Sequence, residues 1–187
     1  AQKTGKRKLA NGDVVSIDCG CTYRGFVGDS AFTIGVGTLT ADAARLVRVT
    51  EEALDKAIAM SRVGNRMGDV SFAIQQHAES NGFNVVREYT GHGVGREMHE
   101  DPQVPNFLSG QLRRNGDFNL EPGLVIAVEP MVNMGSKHVK GLPDHWTQAT
   151  ADAKFSAHFE HTIAMTESGP WVLTGPPQPD ERAGNGS

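Results

Sequence analysis

The chain has 187 residues, of which 38% are hydrophobic and 21% charged, which suits one globular domain and excludes a disordered or fibrous protein. Its formal net charge of -4 gives no positive field for nucleic acid or anionic lipid, and no apolar run approaches the ~20 residues of a membrane helix. We therefore expect a cytoplasmic protein with no membrane partner and no specific nucleic-acid partner.

The two ends of the chain are polar and enclose one predicted domain. Residues 1–10 carry a small basic cluster and predict a flexible N-terminal end, while residues 176–187 have the composition of a disordered tail. Residues 11–175 hold the alternating and helical patterns of a single domain. Cys19 and Cys21 are near neighbours on one strand, which predicts reduced packing thiols and no disulfide.

A β-hairpin is predicted first. Residues 14–19 alternate as a strand, residues 22–25 form a turn, and residues 26–34 return as a second strand. If the turn is centred on Tyr23 and Arg24, Asp18 and Asp29 face each other with Cβ atoms ~4.5 to 5.5 Å apart. Such a pair of like charges is unfavourable unless a cation lies between them. The alternative is that one aspartate is exposed and a bulge offsets the register.

Two helices are predicted next. The first runs from about Ala41 to Met60 and is capped by Thr40. Its predicted buried stripe consists of Leu46, Val49, Ala53 and Ala57. The second runs from about Met67 to Ser80 and ends at Asn81-Gly82, and we interpret its His77 as structural.

The rest of the chain predicts short strands that carry acids. His92 lies between two glycines, which permit a close backbone approach, so we expect it in a loop that faces a site, although such a motif alone is more often a plain turn. A strand over residues 124–130 ends in Glu129, and a last strand over residues 155–165 carries Glu160. Between them, residues 103–119 are predicted as loop and residues 133–154 as irregular.

Four acids at strand positions and one imidazole together predict a metal site. The acids are Asp18, Asp29, Glu129 and Glu160, and the imidazole is His92. Acids are depleted in strands and are rarely buried without a partner, and this oxygen-rich set suits Mn, Fe, Co or Zn. Five ligands exceed the needs of one tetrahedral zinc, so two metals ~3.5 to 4 Å apart fit better. Such a centre activates water, which favours hydrolysis of an amide or a phosphate ester.

Five motifs in order over residues 11–175 resemble the type I methionine aminopeptidases, which have the pita-bread (creatinase-like) fold. They are Ile17-Asp18 with Gly28-Asp29, Gly91-His92-Gly93-Val94-Gly95-Arg96, Met98-His99-Glu100-Asp101-Pro102, Glu129-Pro130-Met131-Val132-Asn133, and Phe159-Glu160-His161-Thr162-Ile163. The resemblance implies an α+β fold in which helices cover a curved, mainly antiparallel sheet, with a dimetal site in the central cleft.

The resemblance also implies the ligand set. By it, Asp29 and Glu160 bridge two divalent ions (Co, Mn, Fe or Zn), Asp18 chelates one ion, and His92 with Glu129 completes the other.

Catalytic and substrate-binding roles follow by the same resemblance. His99 would hydrogen-bond the scissile amide, and Glu129 would pass a proton to the leaving nitrogen. Met98, His99 and Trp146 would bind the substrate. The implied activity is removal of the initiator methionine by a dimetal-activated hydroxide, acting on a peptide or nascent-chain N-terminus near the ribosome.

Two departures from the family pattern affect these expectations. Met98 replaces an aromatic residue that usually lines the methionine pocket. Residues 1–10 contain no counterpart of a further active-site histidine, so we expect a fragment that lacks an N-terminal segment. The alternatives are that a second chain supplies the missing part, or that the enzyme is impaired.

Two other functions remain open at this point. One is a peptidase of the same fold that cuts before proline, and the other is a pita-bread binding module without catalysis. Glu129-Pro130-Met131 and Trp146 favour the methionine enzyme over the first, and the complete ligand set argues against the second.

Overall fold

The computed structural model describes residues 8–110 and 112–175. The helices are α1 (Ala41–Met60) and α2 (Met67–Ser80), and Leu112–Gly116 forms one π-helical turn. The strands are β1 (Val14–Tyr23), β2 (Phe26–Gly35), β3 (Asn84–Val85), β4 (Gly91–Gly93), β5 (Glu100–Val104), β6 (Val125–Val128), β7 (Met131–Asn133), β8 (Val139–Gly141), β9 (Gln148–Thr150), β10 (Ser156–His158), β11 (Glu160–Thr166) and β12 (Gly169–Val172). Most of the predicted flexible end and all of the predicted tail, residues 1–7 and 176–187, lie outside the described residues.

The β1–β2 hairpin forms as predicted, but its register is different. Tyr23 pairs with Phe26, so the turn consists of Arg24 and Gly25, both with positive φ. Asp29 is therefore opposite Gly20, and the prediction that it directly faces Asp18 is wrong. Asp18 is exposed, as the alternative interpretation expected, although the offset comes from the position of the turn and involves no bulge.

Both helices have the predicted bounds. The Thr40 hydroxyl accepts a hydrogen bond from the Ala43 amide at 3.3 Å, which caps α1. The predicted stripe of α1 is fully buried, and in α2 the buried side chains include Val70 and Ile74. His77 of α2 lies 2.8 Å from a Glu52 carboxylate oxygen on α1, which agrees with a structural role. Neither helix is long and apolar enough to cross a membrane.

One antiparallel sheet forms most of the fold. Its strand order is β1-β2-β11-β6-β4-β5, and β12 pairs with the outer part of β11. A smaller sheet has the order β10-β7-β3, and β8 pairs with β9 as a separate hairpin. The chain passes from the smaller sheet to the larger one at Phe159, between β10 and β11. The single strand predicted over residues 155–165 is therefore two strands in two sheets.

Two faces of the large sheet have different chemistry. Ile163 pairs with Ile126, and both belong to the fully buried core that also contains the α1 stripe. Thr162 pairs with Ala127, which also pairs with His92, so these residues share the opposite face. The sequence thus places apolar residues toward the helices and polar ones on the other side.

Two regions that were predicted as loop or irregular contain strands. β5 includes Gln103 and Val104, which were predicted to begin a loop, and the β8–β9 hairpin lies in the segment predicted as irregular. His92 lies in β4 between β5 and β6, so the expectation that it occupies a loop is wrong.

The outer face of the β1–β2 hairpin exposes apolar side chains. Ile17 and Phe32 form a cross-strand pair with 41% and 46% of their surfaces exposed. Cys19 and Cys21 lie on the same face and are free, as predicted, but exposed, so the prediction that they pack in the interior is wrong.

Candidate metal centre

His92 is held in the middle of the sheet by its two glycine neighbours. A Cβ atom on Gly91 would lie 2.4 Å from the Ala127 carbonyl oxygen of β6, and one on Gly93 would lie 2.2 Å from the Asp101 oxygen of β5. Only glycine permits so close an approach of three backbones. The glycines therefore serve the packing of β4 between its neighbours, and the His92 side chain projects from a rigid strand.

The tautomer of His92 follows from its hydrogen bond. Its Nδ1 lies 2.9 Å from the Gly93 carbonyl oxygen, which can only accept, so Nδ1 carries the proton. Its Nε2 then faces Asp29 Oδ2 at 3.8 Å and Glu129 Oε1 at 3.7 Å. Neutral imidazole with a free Nε2 is the form that binds metals.

Three carboxylates surround this imidazole. Asp29 lies in β2, Glu160 begins β11, and Glu129 directly follows β6. Asp29 and Glu160 are 7% and 2% exposed, and ligand atoms of these two residues and His92 all lie within 4.8 Å of one another. The structure thus brings together three residues from β2, β4 and β11 and a fourth that follows β6, all far apart in the chain.

Asp18 is the outlying member of the predicted ligand set. It is opposite Ala31 in β1, and Ala31 is two residues from Asp29, so both aspartates lie on one face as diagonal neighbours. Such neighbours are typically ~7 to 8 Å apart, which is within reach of an ion between them.

The carboxylates of the cluster are close together and buried, so a bound cation would stabilise them. Burial, together with the charges of Glu129, Asp29 and Asp18, raises the pKa of Glu160 from about 4.5 to about 9. Within residues 8–110 and 112–175, the basic groups within 4 Å of Asp29 and Glu129 are the imidazoles of His92 and His158. Buried carboxylates are normally paired or coordinate metals, so this donor set fits divalent ions.

His99 and Met98 lie beside the cluster in the segment between β4 and β5. The rings of His99 and His92 have centroids 4.3 Å apart at an angle of 52°, and His99 is exposed. Met98 packs over Gly20, where a Cβ atom would lie 2.4 Å from the methionine Cε. The Glu100 carboxylate accepts hydrogen bonds from the amides of Arg96 and Glu97 at 2.7 and 2.9 Å, which fixes this loop.

Trp146, the third predicted substrate-binding residue, is strongly exposed. It lies in the connection between β8 and β9 with 69% of its surface exposed. Its backbone amide donates to the Asp144 carboxylate at 3.1 Å, so the loop is ordered around Asp144. Its role toward a substrate stays a prediction.

His158 is the functional candidate that the sequence did not single out. Its Nε2 is buried without a hydrogen-bond partner and lies 3.5 Å from Glu129 Oε2. The signal was present, since the alternation of the last strand placed His158 on the same side as Glu160. Its approach to Glu129 depends on the pairing of β10 with β7, which the sequence did not predict.

An antiparallel sheet that collects buried carboxylates and an imidazole on one face is the arrangement of a metal-dependent hydrolase of the pita-bread kind. The chain belongs to the metallopeptidase family M24, whose model matches residues 1–167. The fold and the family resemblance predicted from the sequence are thereby confirmed.

The chain is similar to methionine aminopeptidases in sequence and in structure. The methionine aminopeptidase of Clostridium perfringens is 52% identical over 170 residues, which are 91% of this chain and 67% of that protein. The crystal structure of methionine aminopeptidase from Thermotoga maritima has a TM-score of 0.82 at 48% identity and covers 89% of this chain and 65% of that one. This chain spans about two thirds of the length of these relatives.

A more distant neighbour shares the fold alone. The prolidase from Pyrococcus furiosus has a TM-score of 0.71 at 23% identity and covers 93% of this chain and 44% of that one.

Proposed function

We propose that this chain removes the N-terminal methionine from polypeptides in a metal-dependent reaction. The observation that carries the proposal is the buried cluster of Asp29, His92 and Glu160 with Glu129 beside it, in a chain half identical to a methionine aminopeptidase. The substrate would be the N-terminus of a peptide or of a nascent chain, and the place of action would be the cytoplasm near the ribosome.

Two divalent ions, drawn from Co, Mn, Fe and Zn, would complete the centre. The proposed assignment gives both ions to Asp29 and Glu160, one ion to Asp18, and the other to His92 and Glu129. It is supported by the common face of these residues and by the raised pKa of Glu160, which a divalent cation would lower again. When bound, the ions would lower the pKa of a water molecule and polarise the scissile carbonyl.

The chain's own residues would supply orientation and proton transfer. His99 would donate a hydrogen bond to the scissile amide and to its tetrahedral intermediate, which is supported by its exposure and by the position of its ring beside His92. Glu129 would carry the proton to the leaving nitrogen, and its two oxygens lie 3.7 Å from His92 Nε2 and 3.5 Å from His158 Nε2. Met98 would contact the methionine side chain, where its adaptable thioether replaces the flat aromatic wall of the family.

The test is release of methionine from the peptide Met-Ala-Ser by the chain loaded with Co²⁺. We expect release that EDTA abolishes, and we expect His92→Ala to lower it by at least about 100-fold, since loss of an outer ligand partner alone costs about 10–100-fold. The matched control is His138→Ala, an exposed histidine outside the cluster, which should leave the rate unchanged.

The same assay decides between the alternatives. Faster cleavage of an Xaa-Pro peptide than of Met-Ala-Ser would overturn the substrate assignment in favour of a proline-directed peptidase. Binding of no divalent ion by calorimetry would refute the enzyme and favour the binding module.

A further inference from the structure

Backbone pairing between β2 and β11 is unusually short for a contact that carries two carboxylates of the metal cluster. The ladder consists of Glu160 opposite Ala31 and His161 opposite Ser30. Two ladder pairs define a register weakly, and a slip of one residue would turn Asp29 to the other face of the sheet. Something besides this ladder must therefore hold the two strands in register.

A buried hydroxyl group extends the ladder at one end. One step further in register, Thr162 stands opposite Asp29. Its Oγ1 accepts a hydrogen bond from the Asp29 amide at 2.9 Å and donates one to the Asp29 carbonyl at 2.8 Å. The backbone of Thr162 is engaged with Leu173 and Thr174, so only the side chain is free to satisfy Asp29.

A second hydroxyl extends the ladder at the other end. Here the hydroxyl belongs to β2, and the backbone that it binds belongs to β10. Two steps from Glu160 in the same register, Thr33 of β2 stands opposite His158 of β10. Its Oγ1 accepts from the His158 amide at 2.9 Å and donates to the His158 carbonyl at 2.7 Å. Because the Thr33 hydroxyl proton is donated to His158, Ser16 must be the donor in the 2.8 Å hydrogen bond between the Ser16 and Thr33 hydroxyls. The Thr33 hydroxyl then makes all three of its possible hydrogen bonds.

The two hydroxyls enclose the bend where the chain changes sheets. Between them lies Phe159, which belongs to neither β10 nor β11, so Glu160 is the first residue of its strand. Each threonine forms two hydrogen bonds in a buried setting, where net contributions of about 1 kcal/mol apiece are typical.

We propose that Thr162 and Thr33 are positioning residues of the metal centre: their hydroxyls hold β2 against β10 and β11 so that Asp29 and Glu160 can share ions. The inference rests on the metal site proposed above. Neither hydroxyl needs to touch an ion, because each acts through the backbone of the opposite strand. The affinity for divalent metal thus depends on two uncharged groups outside the ligand set.

The test measures Co²⁺ binding by calorimetry in Thr162→Val, which keeps the shape of the side chain and removes the hydroxyl. We expect the affinity to fall by about 10–100-fold, the usual effect of losing a group that orients a ligand. Thr162→Ser, which restores the hydroxyl, should regain most of the affinity. A general loss of packing would not respond to serine in this way.

The chain provides a matched control in Thr50. It is also fully buried and its hydroxyl donates to the Leu46 carbonyl at 2.8 Å, but both residues belong to α1. Thr50→Val should lower the melting temperature and leave the affinity for Co²⁺ unchanged. Equal Co²⁺ affinities in Thr162→Val and Thr50→Val would overturn the inference.

A second variant covers the case in which Thr162→Val does not fold. Thr33→Val removes the hydroxyl that binds the His158 backbone at the other end of the β2–β11 contact. The same loss of Co²⁺ affinity is expected in this variant, and an unchanged affinity would overturn the proposal. These outcomes are separate from those for the proposed function. A chain that binds Co²⁺ but releases no methionine would refute the peptidase activity and leave the role of the two threonines intact.

Discussion

The raised pKa of Glu160 implies that this metal ligand lowers the stability of the metal-free chain at neutral pH. Without a cation, this carboxyl keeps its proton in the folded chain up to about pH 9, while in the unfolded chain it loses it near pH 4.5. The folded state therefore binds more protons between these values, and the free energy of unfolding must decrease as pH rises through that window. Below the window the stability is highest, and above it the loss is complete.

The magnitude follows from one proton. The free energy of unfolding should change by about 1.4 kcal/mol per pH unit, which amounts to about 3 kcal/mol between pH 4.5 and pH 7. Glu160→Gln places a neutral amide where the protonated acid stands and removes this dependence. In EDTA at pH 7, the variant should be more stable than the wild type by that amount, or roughly 6–12 °C in melting temperature for a chain of this size.

The assay is urea unfolding in EDTA at about pH 5.5, pH 7 and pH 8.5, with Glu121→Gln as the control at an exposed acid outside the cluster. We expect the advantage of Glu160→Gln to grow with pH and that of Glu121→Gln to stay near zero. Saturating Co²⁺ should reverse the order, because only the wild type retains the full ligand set and gains stability by binding. A Glu160→Gln chain with the same pH slope as the wild type in EDTA would refute the reasoning.

Three further predictions concern single side chains. His99→Ala should lower kcat for Met-Ala-Ser by about 10²–10³-fold with unchanged Co²⁺ affinity, since its role is toward the amide, and a parallel loss of metal binding would contradict this. Trp146→Ala should leave the melting temperature unchanged, because the residue is exposed, and should raise KM; an unchanged KM would remove it from the substrate site. Gly91→Ala should destabilise the chain by about 1–3 kcal/mol or prevent folding, because its Cβ would meet Ala127 O at 2.4 Å, whereas Gly28→Ala, with 3.6 Å of clearance, should be tolerated in urea unfolding.

The helices were predictable because their signals are local. The stripe of α1 repeats with the helical period, Thr40 begins the helix, and Asn81-Gly82 ends α2, where Gly82 has a φ of 78°. The hairpin register was also available in principle. Gly25 adopts a φ of 82°, and a two-residue turn with positive φ at both positions fixes Arg24 and Gly25 as its centre.

Other features depend on contacts that a sequence pattern does not contain. The alternation through residues 155–165 is continuous, yet Phe159 separates two strands because its neighbours pair with different sheets. β5 includes Pro102, which normally argues against a strand. Alternation within a strand does not show which strands are neighbours, so the common face of Asp29, Glu129 and Glu160 required the pairing of β11 with β2 and β6. The approach of His158 to Glu129 likewise required the pairing of β10 with β7.

The pairing of β2 with β11 also has a kinetic consequence. Asp29 and Thr162 are 133 positions apart, so this contact closes most of the chain into one loop, whereas α1 and α2 pack as sequence neighbours. Contacts of long sequence separation form late and slowly. The helices should therefore be complete before the carboxylates meet, and Co²⁺ should slow the unfolding of this chain while leaving its folding rate nearly unchanged.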